Sequence, residues 1–304
     1  MSWILVNFFE IFIVFFAILG NITFSYIIHC AKSLQYCCRC SLQLFSFSMF
    51  ILTITHGYTV LCFLILNTNY EILYLKTDHV KYFRMIHEFG YCLQSLSLLM
   101  FSADRLVAGT LLQFYTSNSF KLLIVVLTIF SFIISAGFSY IVHIQHWTII
   151  PTLFMDFLDF LGLFLICVAW KKSIKTYNST IGSICLEQRY QLSEVYNWSK
   201  TLIPGVICAS VAKIISIISI WALITAKKVY VENEAGCFLF FYNNSLNIYS
   251  IILPFIILFR HKALRTKIVR NPENFELTTL EGNPIDLKIS SNQYFQTLGK
   301  FWND

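Results

Sequence analysis

The chain reads as an all-α protein: a seven-transmembrane helix bundle with its N-terminus outside and its C-terminus cytoplasmic. Three observations predict this. Of its 304 residues, 57% are hydrophobic and only 12% charged, with mean hydropathy +0.67, against about 25% charged residues in a soluble domain. The apolar residues gather into seven long runs, at 4–28, 42–66, 85–104, 122–142, 149–170, 202–224 and 237–259. Each is close to the ~20 residues that cross a ~30 Å hydrocarbon core as a helix. Lys and Arg, finally, fall unevenly between the connecting segments, which fixes the orientation. A membrane β-barrel is excluded, because its strands are short and alternating whereas these runs are long and continuous.

Taken in order, the first run carries Gly20-Asn21, and no Lys or Arg precedes Lys32. It therefore lacks the basic flank of a signal peptide and reads as a retained span. The second contains His56. The third and fifth are the least clean, holding Glu88 and the pair Asp156 and Asp159; six spans remain if one is discounted, but seven is the better fit. The sixth has Pro204 near one end, and no Pro or Gly separates Leu186 from it, so that helix is expected to extend beyond the membrane. The seventh contains Pro254 and is followed by the basic stretch "RHKALRTKIVR", with Leu264 and Ile268 four apart. That stretch reads as an amphipathic helix on the inner leaflet. Residues 1–270 thus form one transmembrane domain with its appended helix, and 271–304 a polar cytoplasmic tail.

With the N-terminus outside, sixteen Lys and Arg fall on the cytoplasmic side and five on the outer side, with Lys213 inside the sixth span. The sequons at Asn178 and Asn197 pull the other way, since this orientation places them in the cytoplasm; a third, at Asn243, is inside a span. Ten cysteines form no disulfide framework. Cys37, Cys38 and Cys40 cluster beside the second span, where palmitoylation, metal binding or no special role are all open. Cys62 and Cys237 lie near the outer ends of their spans, but spacing alone does not establish a bond.

The third run closes on "SLLMFSADRLVAG", where Asp104 and Arg105 stand side by side. Charges at a helix terminus cost little, so an interfacial stop signal is one reading. Seven spans, an outer N-terminus and an acid–Arg pair closing the third span also resemble a G-protein-coupled receptor. "LEQRYQLSEVYNWSKTL" at 186–202 and "FRHKALRTK" at 259–267 are similar to stretches of nematode serpentine chemoreceptors, nearest the Sra superfamily with its Sra, Srab, Srb and Sre families. Those families often carry an acid-Arg-x-x-Ala-Thr stretch here; this chain reads "DRLVAGT", with Gly109 in the Thr position. The resemblance covers nearly the whole chain in architecture but only three short motifs in residues.

The resemblance implies an Arg105 held by Asp104 at rest and meeting a heterotrimeric G protein when active. It also implies a multi-pass protein of the plasma membrane, placed in sensory cilia. Glu187 and Glu194 share a face of the extended sixth helix, and either could pair with Arg105 at rest. Departures from the rhodopsin-like pattern are several. Gly20-Asn21 matches it, but the second span has no Asp, the sixth no Trp-x-Pro, and the seventh reads Pro254-Phe255-Ile256-Ile257 without Asn-Pro-x-x-Tyr. The disulfide from the third span to the second outer loop is also absent from the sequence.

Ligand contacts are expected from polar residues inside the spans, because ionisable groups there face the bundle interior. Asp159 and Lys213 fall near the midplane and would pair if their helices are neighbours. Asp156 lies one turn from Asp159 on the same face. His56, Glu88, Asn243, Asn244 and Asn247 add hydrogen-bonding capacity. The same residues also serve as glue between helices, at ~0.6–2 kcal/mol each, and the two roles are weighed equally.

Enzymes are argued against: no phosphate loop, His-Glu-x-x-His or Gly-x-Ser-x-Gly is present, and His143 and His146 have no nearby acids. A ligand-gated chemoreceptor channel of inverted topology, or a small transporter, is the rival, although no internal repeat supports the latter. The expected partners are a small-molecule ligand, a heterotrimeric G protein and the lipid bilayer. No nucleic acid, cofactor or metal is expected.

Overall fold

The computed structural model describes residues 3–31, 34–66, 78–115, 117–144, 149–179, 186–226 and 232–260. Among these the regular elements are all helical: α1 Trp3–Cys30, α2 Tyr36–Leu66, α3 Asp78–Thr110, α4 Leu112–Tyr115, α5 Asn118–Ile144, α6 Ile149–Ser179, α7 Leu186–Ala226 and α8 Glu232–Arg260. Each of the seven apolar runs lies in one long helix, and the four-residue α4 is the element the apolar pattern did not announce. The expected extension of the sixth span is present, since α7 begins at Leu186. The basic stretch from His261, the polar tail and His146 lie outside the described residues. So do the side chains of His143, Asn178, Glu187, Glu194, Cys237 and Asn243.

Local signals explain several of the helix ends. Ser117 caps α5, its Oγ accepting the Phe120 N–H at 3.2 Å, a bond worth ~1 kcal/mol in such positions. Arg39, in the first turns of α2, reaches back to the carbonyls of Ala31 and Leu34 at 3.2 and 3.1 Å. Ala31 directly follows the C-terminal end of α1, so this places a positive charge near the negative end of that helix.

Among the described residues, six helices are long and apolar enough to cross a membrane: segments Val6–Cys30, Tyr36–Ile65, Asn118–Val142, Leu153–Thr176, Val195–Ser219 and Phe240–Arg260. The seventh long helix, α3, falls short because it carries Lys81, Arg84, Glu88, Gln94, Asp104 and Arg105. Its place in the bundle accounts for this. Helix α3 packs against α2, α5, α6 and α7, so most of its surface faces protein rather than lipid. Around it, α1 packs on α2 and α8, α8 on α7, and α7 on α6.

The peripheral α5 has the complementary pattern. Leu122, Ile129, Phe130 and Ile133 are exposed, whereas Ser131, Ser135 and Ser139, four residues apart, are buried. Ser139 donates to the Met85 carbonyl of α3 at 2.6 Å. Small residues inward and large apolar ones outward is the pattern of helices packed in lipid.

Beyond the first turn of a helix, Pro204 sits inside α7 and Pro254 inside α8. Pro254 has no N–H to give to the carbonyl four residues back, that of Ser250. Gly20 of α1 lies against this carbonyl so closely that a Cβ there would stand 2.5 Å from it. The next residue, Asn21, donates across to Thr53 of α2 at 3.1 Å.

Candidate functional site

At one end of the bundle, Arg105 is buried with 1% of its surface exposed. Its Nε and Nη2 donate to Asp104 Oδ2 at 3.0 and 2.5 Å, and Nη2 also donates to the Tyr115 hydroxyl at 2.7 Å. Tyr115, on α4, donates to the same Asp104 oxygen at 3.4 Å. Adjacent residues on a helix normally face apart; here the long arginine folds back onto its neighbour, and α4 closes the third side. Phe101 and Tyr115 present their rings to the guanidinium at 5.9 and 5.8 Å. Burial pushes the Tyr115 hydroxyl well above the ordinary tyrosine range, so it remains a donor. The solvated stop signal that the sequence allowed is not what forms, because Asp104 and Arg105 are both removed from water.

Toward the other end, three helices meet at an ion pair. Lys213 of α7 and Asp159 of α6 stand 2.5 Å apart, with 2% and 3% of their side chains exposed. Ser95 of α3 accepts from Lys213 and donates to Asp159 at 3.3 Å. The Tyr91 ring lies 4.8 Å from the Lys213 ammonium. The expected pair therefore forms, and α6 and α7 are neighbours. Asp156, one turn away, is half-buried and within electrostatic range of Lys213.

Helices α1, α2 and α8 meet at a second polar cluster. Asn244 donates through Nδ2 to Glu10 Oε1 at 2.8 Å and to the Phe240 carbonyl at 3.0 Å. His56 lies beside Asn244, and His87 shares a 3.1 Å hydrogen bond with Thr55. Glu88 accepts from the Tyr242 hydroxyl at 3.4 Å. Glu10, His56, Glu88, Asn244 and Asn247 are all buried. Of the residues expected to contact ligand, His56, Glu88, Asp159, Lys213, Asn244 and Asn247 are thus buried and Asp156 is half-buried, spread over α2, α3, α6, α7 and α8.

Sequence reasoning passed over Glu10, Tyr91, Ser95 and Tyr115. An acid within the first apolar run was a signal for Glu10. For Tyr91 and Ser95 the signal was a stripe on α3, since residues 88, 91 and 95 recur at helical spacing.

Between the polar clusters and Arg105 lies a cavity of about 20 Å³, bordered by Phe24, Phe45, Leu98, Phe101 and Tyr249 among others. That is room for about one water molecule, far below the several hundred Å³ of a ligand pocket. Phe101 borders both this cavity and the Arg105 guanidinium.

No family model matches the chain, and no curated protein resembles it in sequence. Among solved structures, it is similar in fold to squid rhodopsin, with a TM-score of 0.57 at 13% sequence identity over 93% of this chain and 83% of that one. The likeness extends over nearly the whole chain: the helices are arranged as in the rhodopsin fold.

Proposed function

We propose that the chain is a G-protein-coupled receptor of the nematode chemoreceptor type, of the Sra superfamily. In this reading it is a multi-pass protein of the plasma membrane, placed in sensory cilia, with its N-terminus outside and its C-terminus cytoplasmic. A small molecule binds toward the end of the bundle that carries Glu88, Asp159 and Lys213. Binding shifts the helix population toward a state in which Arg105 is released to a heterotrimeric G protein.

The observation that carries this reading is the closed cluster of Asp104, Arg105 and Tyr115, at the opposite end of α3 from the buried polar residues. An arginine so held is a two-state element, because release exchanges three internal contacts for a partner's. The likeness to squid rhodopsin supports the architecture that such a switch requires.

The test is nucleotide exchange on purified heterotrimeric G proteins by membranes containing the chain. The wild type is expected to accelerate exchange on at least one G-protein class, and Arg105→Ala to abolish that acceleration. Equal exchange by membranes with and without the chain, across all classes, would reject the reading.

A further inference from the structure

Cys37, Cys38 and Cys40 stand together in sequence, but the helix separates them. Cys37 and Cys38 are 3% and 0% exposed, whereas Cys40 is half-buried. Register is the reason. Tyr36, Phe47 and Ile54 belong to the exposed stripe of α2, and Cys40, four residues after Tyr36 and seven before Phe47, falls on that stripe. Cys37 instead packs into the buried cluster that contains Tyr115, which places this turn at the Arg105 end of the bundle.

The last residue of α1 repeats the arrangement. Cys30 is half-buried and follows Tyr26 by four residues, on the exposed stripe that includes Leu19 and Ile22. Arg39 joins the two places. It precedes Cys40, and its guanidinium donates to the carbonyl of Ala31, the residue after Cys30, at 3.2 Å. Two thiols on adjacent helices thus flank one bridge, at one level of the bundle, each on a stripe that faces lipid. Exposed tyrosines one turn away on both helices, Tyr26 and Tyr36, mark that level as the membrane–water boundary. Among the other half-buried thiols described, Cys167 and Cys208 lie well inside their membrane segments and Cys62 at the opposite end of α2.

We propose that Cys30 and Cys40 are S-acylation sites, each carrying a long-chain fatty acid as a thioester. Cysteines beside a membrane span are the thiols that this chemistry reaches, and burial closes Cys37 and Cys38 to it. The acyl donor is a long-chain acyl-coenzyme A. The cysteine sulfur bonds to the acyl carbonyl carbon as the bond from that carbon to the coenzyme A sulfur breaks. The thiol proton leaves with coenzyme A, and nothing is oxidised or reduced. At headgroup depth the polar part of the donor stays in water, while the attached chain continues along the apolar stripe into lipid. The inference rests on the orientation in the reading above, which puts this end on the side of the cytoplasmic acyl-coenzyme A.

The experiment uses the full chain with an N-terminal glycosylation acceptor, expressed in cultured cells. Free thiols are blocked, thioesters are cleaved with neutral hydroxylamine, and the released thiols are tagged with a polyethylene-glycol maleimide. The wild type is expected to show at least two tagged thiols, Cys30→Ser and Cys40→Ser each one fewer, and the double variant two fewer. Cys62→Ser is expected to leave the count unchanged. Peptide mass spectrometry of the wild type, which needs no substitution, is expected to place fatty acyl groups on Cys30 and Cys40.

No hydroxylamine-dependent tagging of the wild type, or acyl groups on Cys37 or Cys38 instead, would overturn the assignment. Tagging that requires a reductant, the sign of a disulfide between Cys30 and Cys40, would overturn it as well. Absent tagging with the N-terminal acceptor glycosylated would leave the receptor orientation standing. Absent tagging with Asn178 or Asn197 glycosylated would reject that orientation too.

Discussion

Asp159 of α6 and Lys213 of α7 form a 2.5 Å ion pair inside the bundle, and Ser95 of α3 bonds to both. Three helices are thereby fixed in register at one point. Each charge is tolerable there only because the other is present, since removing one partner leaves an uncompensated buried charge.

Asp159→Asn is therefore expected to destabilise the protein by about 3–5 kcal/mol, the cost of stranding a buried partner. Replacing both residues by apolar ones of similar volume, Asp159→Leu with Lys213→Met, is expected to restore most of the loss. Thermal melts of purified single and double variants measure this. A double variant no more stable than Asp159→Asn would show that the pair does not act through charge compensation.

Gly20 and Gly137 give an internally controlled pair. A Cβ at Gly20 would stand 2.5 Å from a backbone oxygen of α8, whereas a Cβ at Gly137 meets nothing within 4 Å. Gly20→Ala is expected to force α1 and α8 apart and cost about 1–3 kcal/mol. Gly137→Ala is expected to be neutral or stabilising by up to about 1 kcal/mol through helix propensity. Equal melting temperatures for the two variants would contradict the close approach of α1 to α8.

Orientation has a direct reading in microsomes. An acceptor tag on the N-terminus is expected to be glycosylated, and Asn178 and Asn197 to remain unmodified. Modification of either native site would place that segment outside, and Arg105 with it, and the inverted channel would become the better account.

Much of the fold was legible because lipid imposes a simple rule: spans must be long, apolar and helical. The rule is weakest for α3, whose Glu88 and Gln94 lower its hydropathy. It was still recognisable by length, and its polarity turned out to mark the helix with protein on most sides. The pairing of Asp159 with Lys213 was also legible, since two opposite charges near the midplane have few other solutions. Glu10 was hidden by averaging, one acid within a run of aromatic and aliphatic residues. Tyr115 was illegible for a different reason. Its contact with Arg105 depends on how the chain turns between Thr110 and Asn118, and a four-residue helix leaves no periodic trace.

The central claim is that Asp104 and Tyr115 hold Arg105 in a resting state, and Tyr115→Phe tests it most directly. The substitution removes only the hydroxyl that touches both charged partners. Losing about 1 kcal/mol of that bonding would shift the resting equilibrium about fivefold. The measurement is ligand-free nucleotide exchange on a coupled G protein. The expected result is raised basal exchange in Tyr115→Phe, with Arg105→Ala inactive in both the wild-type and the Tyr115→Phe background. Basal exchange unchanged by Tyr115→Phe and undiminished by Arg105→Ala would contradict the account.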